Sequence, residues 1–82
     1  MNEQYIFRIK QLVCTTLLVD EISTQQDLFE AGYLDSLAIV SLLVALEEEF
    51  DITLSMETLD LEEFRSVESM YNLISPLIKM SA

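Results

Sequence analysis

"DSLAIVSLLVALEEEF", residues 35–50, carries the clearest helical pattern in the chain. On a helical wheel, which advances about 100° per residue, several of its apolar side chains fall on one stripe: Ile39, Leu42, Leu43, Leu46 and Phe50. Asp35 is a good N-cap, because its carboxylate can accept hydrogen bonds from the free N–H groups of a first turn. The segment therefore predicts a helix over Ser36–Phe50 whose apolar stripe faces the core.

The same helix carries a second apolar group on its opposite side. Aliphatic residues fall together there, bordered by a serine and glutamates: Leu37, Val40 and Val44, with Ser41, Glu47 and Glu48. One interpretation is a helix buried on both sides, or single apolar residues tolerated at the surface. The other is a face that docks a partner. We favour the second, because a chain of 82 residues cannot easily surround a helix.

The remaining pattern predicts an all-α domain. Residues 3–18 carry one helical stripe, the residues that follow lose the period, and Asp60–Phe64 can form a short helical turn. Ser66 is a suitable cap for a last helix, which Pro76 should kink or end because it lacks an N–H group. We expect a single domain over residues 1–82. It is a small four-helix bundle, three main helices plus a short third helix, with a long loop between helices 1 and 2.

The composition argues against several classes of function. The formal net charge of −11 disfavours nucleic acid and anionic membranes as partners and suits basic protein partners. Histidine is absent and Cys14 is the one cysteine, so we expect no metal site, no disulfide and no catalytic residues. The longest uncharged run is too short to cross a bilayer, and the N-terminus lacks a signal-peptide core. We expect a cytoplasmic monomer without membrane insertion.

Ser36 stands at the first helical position after the Asp35 cap. The free N–H groups and the dipole of a helix start favour a nearby negative charge by about 0.3–1 kcal/mol. A phosphate ester on Ser36 would therefore be well tolerated. The alternative is that Ser36 only completes a capping pair with Asp35, and the spacing alone does not choose between the two.

Leu28–Leu54, "LFEAGYLDSLAIVSLLVALEEEFDITL", resembles the heart of an acyl carrier protein. In that family an Asp-Ser-Leu motif opens the second helix, here Asp35-Ser36-Leu37. The resemblance implies that a phosphopantetheinyl transferase, using coenzyme A and Mg²⁺, attaches 4′-phosphopantetheine to Ser36. The terminal thiol then holds an acyl or aminoacyl group for partner enzymes such as a loading ligase and an acyltransferase. It also implies that partners dock on the second helix, and that the chain is their substrate, not an enzyme.

Details of the motif bear on the kind of carrier. Ala38 and Ser41 stand where carriers of fatty acid synthesis are often acidic, whereas "GYLDS" and "FDI" are closer to D-alanyl carriers of teichoic acid modification and to discrete carriers of antibiotic pathways. D-alanyl carriers typically have an aromatic residue where this chain has Leu37, and often a tryptophan, which this chain lacks. We expect a discrete carrier of specialised metabolism, of the polyketide or non-ribosomal peptide type. A D-alanyl carrier is the alternative, and a non-modified acidic helical adaptor is the alternative of another class.

Overall fold

The computed structural model describes residues 3–55, 57 and 59–81, with side chains as far as residue 78. The outermost residues of the predicted domain, 1, 2 and 82, lie outside that description. The described residues form three α-helices and one short 3₁₀ helix: α1 (Glu3–Leu17), α2 (Ser36–Phe50), the 3₁₀ helix (Leu61–Phe64) and α3 (Val67–Ser81). The predicted all-α bundle is confirmed, and a long connection without regular helix joins α1 to α2.

The core forms where the apolar faces of the helices pack against one another. The predicted α2 stripe is buried throughout its length, at 9% exposure or less. α1 contributes Ile9 and Val13, and Phe64 of the 3₁₀ helix is fully buried beside the apolar face of α3. Leu28 ties the long connection to this core, since its side chain has no exposed surface. None of the helices described is long and apolar enough to cross a membrane.

Three residues with positive φ end three turns of the chain in the same way. Leu18 (φ 59°) follows α1, Asp51 (φ 54°) follows α2, and Gly32 (φ 81°) ends the turn before α2. In each case the next residue donates its backbone N–H to a carbonyl five residues back, as Tyr33 does to Leu28 at 3.1 Å. These are Schellman-type ends, in which the left-handed residue lets the last carbonyls find donors. Glycine suits the positive φ at position 32, four residues before Ser36.

Of the two outcomes predicted for Pro76, a kink or an end of the last helix, the end is wrong. α3 continues through Pro76 to Ser81. Proline removes one backbone donor from the helix interior, yet the apolar face persists beyond it, because Leu77 and Ile78 still pack against the core. Burial of that face offsets the loss of a single hydrogen bond.

Arg65 clamps the long connection to the start of α3. Its guanidinium bonds to the carboxylates of Asp27 and Glu62 and lies 5.1 Å from the ring centroid of Phe29. Its backbone carbonyl accepts the N–H of Leu28 at 2.7 Å. The bond from Arg65 lowers the pKa of Glu62. The pKa of Asp27 is lowered first by the backbone N–H of Glu30 and then by Arg65.

These lowered pKa values predict an acid-sensitive contribution to stability. A carboxylate with a lowered pKa stabilises the fold above its ordinary value, here 3.8 for Asp27 and 4.5 for Glu62, and this stabilisation is lost as the pH falls through the lowered value. Arg65→Met should lower the melting temperature at pH 7 and flatten its decline below pH ~4. Asp27 should keep part of its effect, because the Glu30 N–H remains. Lys10→Met is the control for a single ion pair, because Lys10 bonds to Glu21 alone and lowers the pKa of that one carboxyl group. It should flatten the decline less than Arg65→Met does, and equal flattening in both variants would contradict the clamp.

Candidate functional site

Ser36 is the first residue of α2 and is exposed. Asp35 precedes it in extended conformation, and its Oδ1 accepts the N–H of Ala38 at 2.8 Å. The Asp35 carbonyl accepts the N–H of Ile39 at 3.0 Å. Asp35 is therefore the N-cap of α2, as the sequence predicts, and removing such a cap costs about 1 kcal/mol. Besides the N–H groups of Ala38 and Ile39, which bond to Asp35, the helix start presents the N–H groups of Ser36 and Leu37.

A phosphate ester fits these residues. The Ser36 hydroxyl is the acceptor for such an ester, and exposure leaves room for a substituent that extends into solvent. The N–H groups at the helix start provide a favourable field for its negative charge. Against this, the Asp35 carboxylate repels an anion, although it is engaged with Ala38. In the described part of the chain, no cluster of three or more Cys, Asp or Glu side chains is arranged to hold a metal ion.

The side of α2 that faces away from the core remains exposed. Leu37 is 75% exposed, Val40 43% and Val44 44%, whereas the predicted core stripe is buried. The interpretation in which α2 is buried on both sides is therefore wrong. We name Leu37, Val40 and Val44, with the bordering Ser41, Glu47 and Glu48, the outer face of α2. It begins at the residue that follows Ser36.

The two glutamates at the border differ in their contacts. Glu48 is exposed and makes no hydrogen bond or ion pair within the described residues. Glu47 is half-buried, and its Oε2 accepts the backbone N–H of Leu54 at 2.8 Å. One oxygen of Glu47 thus fastens the segment after α2, whereas the carboxylate of Glu48 is open to a partner. Ser41 is exposed between them and Ser36.

The basic side chains with described contacts are engaged elsewhere. Arg8 bonds to Glu49, Lys10 to Glu21 and Arg65 to Glu62 and Asp27. None of these pairs includes a residue of the outer face of α2. Among the residues with described side chains, nothing compensates the negative charge of Glu48, so the face combines aliphatic side chains with a free carboxylate.

Two structural contacts around the site were not predicted from the sequence. The Glu47 bond to Leu54 joins residues seven apart across the end of α2, and the Arg65 bond to Asp27 joins residues 38 apart. A signal for the second was present, since Arg65 is the one basic residue between Lys10 and Lys79. A lone cation in a strongly acidic chain has many candidate partners, and only the fold selects among them.

Comparison with known proteins finds a family match and similar relatives. The family described as "Phosphopantetheine attachment site" matches residues 8–74, a range that includes Ser36 and the whole of α2. The chain is 39% identical over 62 residues to a D-alanyl carrier protein of Bacillus cereus (strain B4264), covering 76% of this chain and 77% of that protein. A D-alanyl carrier protein of Bacillus anthracis (strain CDC 684 / NRRL 3495) matches with the same identity and coverage.

Proposed function

The chain belongs to the phosphopantetheine attachment site family, and we propose on that premise that it is a carrier protein whose arm is attached to Ser36. Membership implies a covalently bound 4′-phosphopantetheine. When bound, this group supplies a terminal thiol that holds an acyl or aminoacyl group as a thioester. The observation that carries the proposal is the position of Ser36, an exposed hydroxyl at the start of α2 beside an exposed apolar face.

The attachment step uses the hydroxyl of Ser36 as the nucleophile. A phosphopantetheinyl transferase with Mg²⁺ presents coenzyme A. The Ser36 oxygen forms a bond to the phosphorus that bears the pantetheine, and the phosphoanhydride bond to adenosine 3′,5′-bisphosphate breaks. The hydroxyl proton passes to a base of the transferase, because this chain has no histidine and the neighbouring Asp35 carboxylate is engaged with the N–H of Ala38. The helix start then stabilises the phosphodiester charge by about 0.3–1 kcal/mol.

The outer face of α2 serves in this proposal as the docking surface. Its aliphatic centre supplies apolar area, and the carboxylates of Glu47 and Glu48 lie at its border. Such a surface is complementary to basic partners, and charge complementarity sets the rate and orientation of docking. We expect the transferase, the loading ligase and a downstream acyltransferase to use it in turn, in the cytoplasm.

The cargo is the finer part of the proposal. The named relatives are D-alanyl carrier proteins, which favours D-alanine. Leu37 after the serine and the lack of tryptophan differ from the pattern typical of those carriers, and on these differences a discrete carrier of specialised metabolism stays a prediction. No comparison supports that second candidate.

Intact mass spectrometry of the protein purified from its native host tests the proposal. We expect a form heavier by one phosphopantetheine, and a loaded form whose further mass identifies the cargo. An alanyl increment supports the D-alanyl carrier, and a larger acyl or aminoacyl increment supports specialised metabolism. The adaptor interpretation predicts the unmodified mass alone. An unmodified protein in the host, together with no mass gain on incubation with coenzyme A and a broad-specificity transferase, would refute the carrier function.

A further inference from the structure

An open groove of about 560 Å³ runs along the seam between α1 and α2. Leu12 and Phe7 of α1 line it together with Ala45 and Glu48 of α2. Phe7 is 61% exposed, although the burial of a phenylalanine side chain is normally favourable. Polar side chains complete the lining, among them Gln11, Thr15 and Thr16. The groove is therefore a mixed surface of the free protein with an exposed aromatic ring among its lining residues.

One part of the groove is fixed in place by an ion pair. The Nε and Nη2 atoms of Arg8 donate to Oε2 of Glu49 at 3.0 and 2.7 Å, and Nη2 also donates to the Glu49 carbonyl. The guanidinium lies 4.6 Å from the ring centroid of Phe50. These contacts hold α1 against α2 and compensate the charge of Glu49. Glu48 has no such partner among the described residues, so the groove keeps an uncompensated negative charge.

The groove is continuous with the outer face of α2, because Glu48 belongs to both. Val44 and Glu48 are separated by about 6 Å along the helix axis, at about 1.5 Å per residue. Packed helices lie about 8–10 Å apart. A standard interface covers about 800 Å² per partner, a patch of about 16 Å radius. A partner centred on Val44 thus covers the groove as well.

We propose that the phosphopantetheinyl transferase docks across the α1–α2 seam, placing an aliphatic or aromatic side chain in the groove against Phe7 and a lysine or arginine beside Glu48. This inference rests on the proposed function and adds α1 to the docking surface. The net charge disfavours a second copy as the occupant, since two copies of a chain with net charge −11 repel each other, and it favours a basic protein. Among the partners proposed above, the transferase is the one that must reach Ser36 itself, at the start of the same helix.

Isothermal titration calorimetry with a purified broad-specificity phosphopantetheinyl transferase, without coenzyme A, tests the proposal independently of modification. Phe7→Ser should raise the dissociation constant about fivefold. Glu48→Gln should raise it about threefold at low salt, with the difference lost at high salt because the interaction is screened. Both side chains are exposed, so the melting temperatures should stay close to that of the wild type.

Leu18→Asn is the matched control. Leu18 is a 90% exposed apolar residue that does not line the groove, and asparagine accepts its positive φ. Its dissociation constant should equal that of the wild type. A Phe7→Ser protein that binds like this control overturns the proposal, as does a wild-type chain that does not bind the transferase. Binding without any mass gain on adding coenzyme A refutes attachment while leaving the seam contact in place.

Discussion

Ser36→Ala is expected to gain no mass with coenzyme A, Mg²⁺ and a broad-specificity phosphopantetheinyl transferase, under conditions in which the wild type gains one arm. The change removes the single oxygen that would form the bond to phosphorus. The Ser36 side chain is exposed at the first helical position, where alanine is well tolerated. The free energy of unfolding should therefore change by no more than about 0.5 kcal/mol. Loss of modification without loss of stability is the expected pair of results.

Ser41→Ala separates attachment at Ser36 from modification of any exposed serine. Ser41 lies on the same helix and is also exposed, but it lies beyond the first turn. It should accept one arm, although at a reduced rate if its hydroxyl contacts the transferase. Full modification of Ser36→Ala would move the attachment to another residue. Modification of neither variant and of no wild-type protein would favour the unmodified adaptor.

The helices could be predicted because the apolar period is strong where the core is. In α2 the period and the Asp35 cap locate both ends, and the structure gives the same bounds, Ser36–Phe50. In α3 the apolar period continues past Pro76, and so does the helix, although the low helix propensity of proline alone would predict an end there. The apolar period predicts which face of a segment is buried, and the burial of that face stabilises the helix. The error at Pro76 arose from giving a single hydrogen bond more weight than the apolar face that continues past it.

The contacts of the long connection could not be predicted in the same way. The Arg65 clamp and the bond from Glu47 to Leu54 depend on how loops without a period return to the helices. A sequence pattern gives the face of a helix but not which distant loop reaches it. The groove beside Phe7 is of the same kind, since it exists only once α1 and α2 are packed.

The candidate site was predictable in part. Helical geometry placed Leu37, Val40 and Val44 opposite the core, and the structure leaves them exposed. The physics of a helix start explains why an anion is tolerated at Ser36. Neither argument specifies phosphopantetheine, because an exposed serine at a helix start is common. That step depended on the longer resemblance around the Asp-Ser-Leu motif, and the family match supplies it independently.

Val44→Asp is expected to lower kcat/KM for arm attachment by about tenfold or more, mainly through KM. Val44 lies at the centre of the outer face of α2 and is 44% exposed. In a complex, a new carboxylate at that point would lose its water and find no cation placed to pair with it. This desolvation is costly even when the docking enzyme is basic overall. In the free protein the same carboxylate stays in water, so far-ultraviolet circular dichroism should show an unchanged helix content.

Asn72→Asp is the matched control for Val44→Asp, because it adds the same charge to an exposed position of a different helix, α3. Its kinetics should equal those of the wild type. If both variants weaken attachment equally, net charge and not the outer face of α2 governs the encounter. If Val44→Asp unfolds the chain, the side of α2 opposite the core stripe is itself structural. The specific outcome, a raised KM in a folded Val44→Asp protein alone, assigns docking to this face, since it separates the stripe that stabilises the domain from the stripe that binds enzymes.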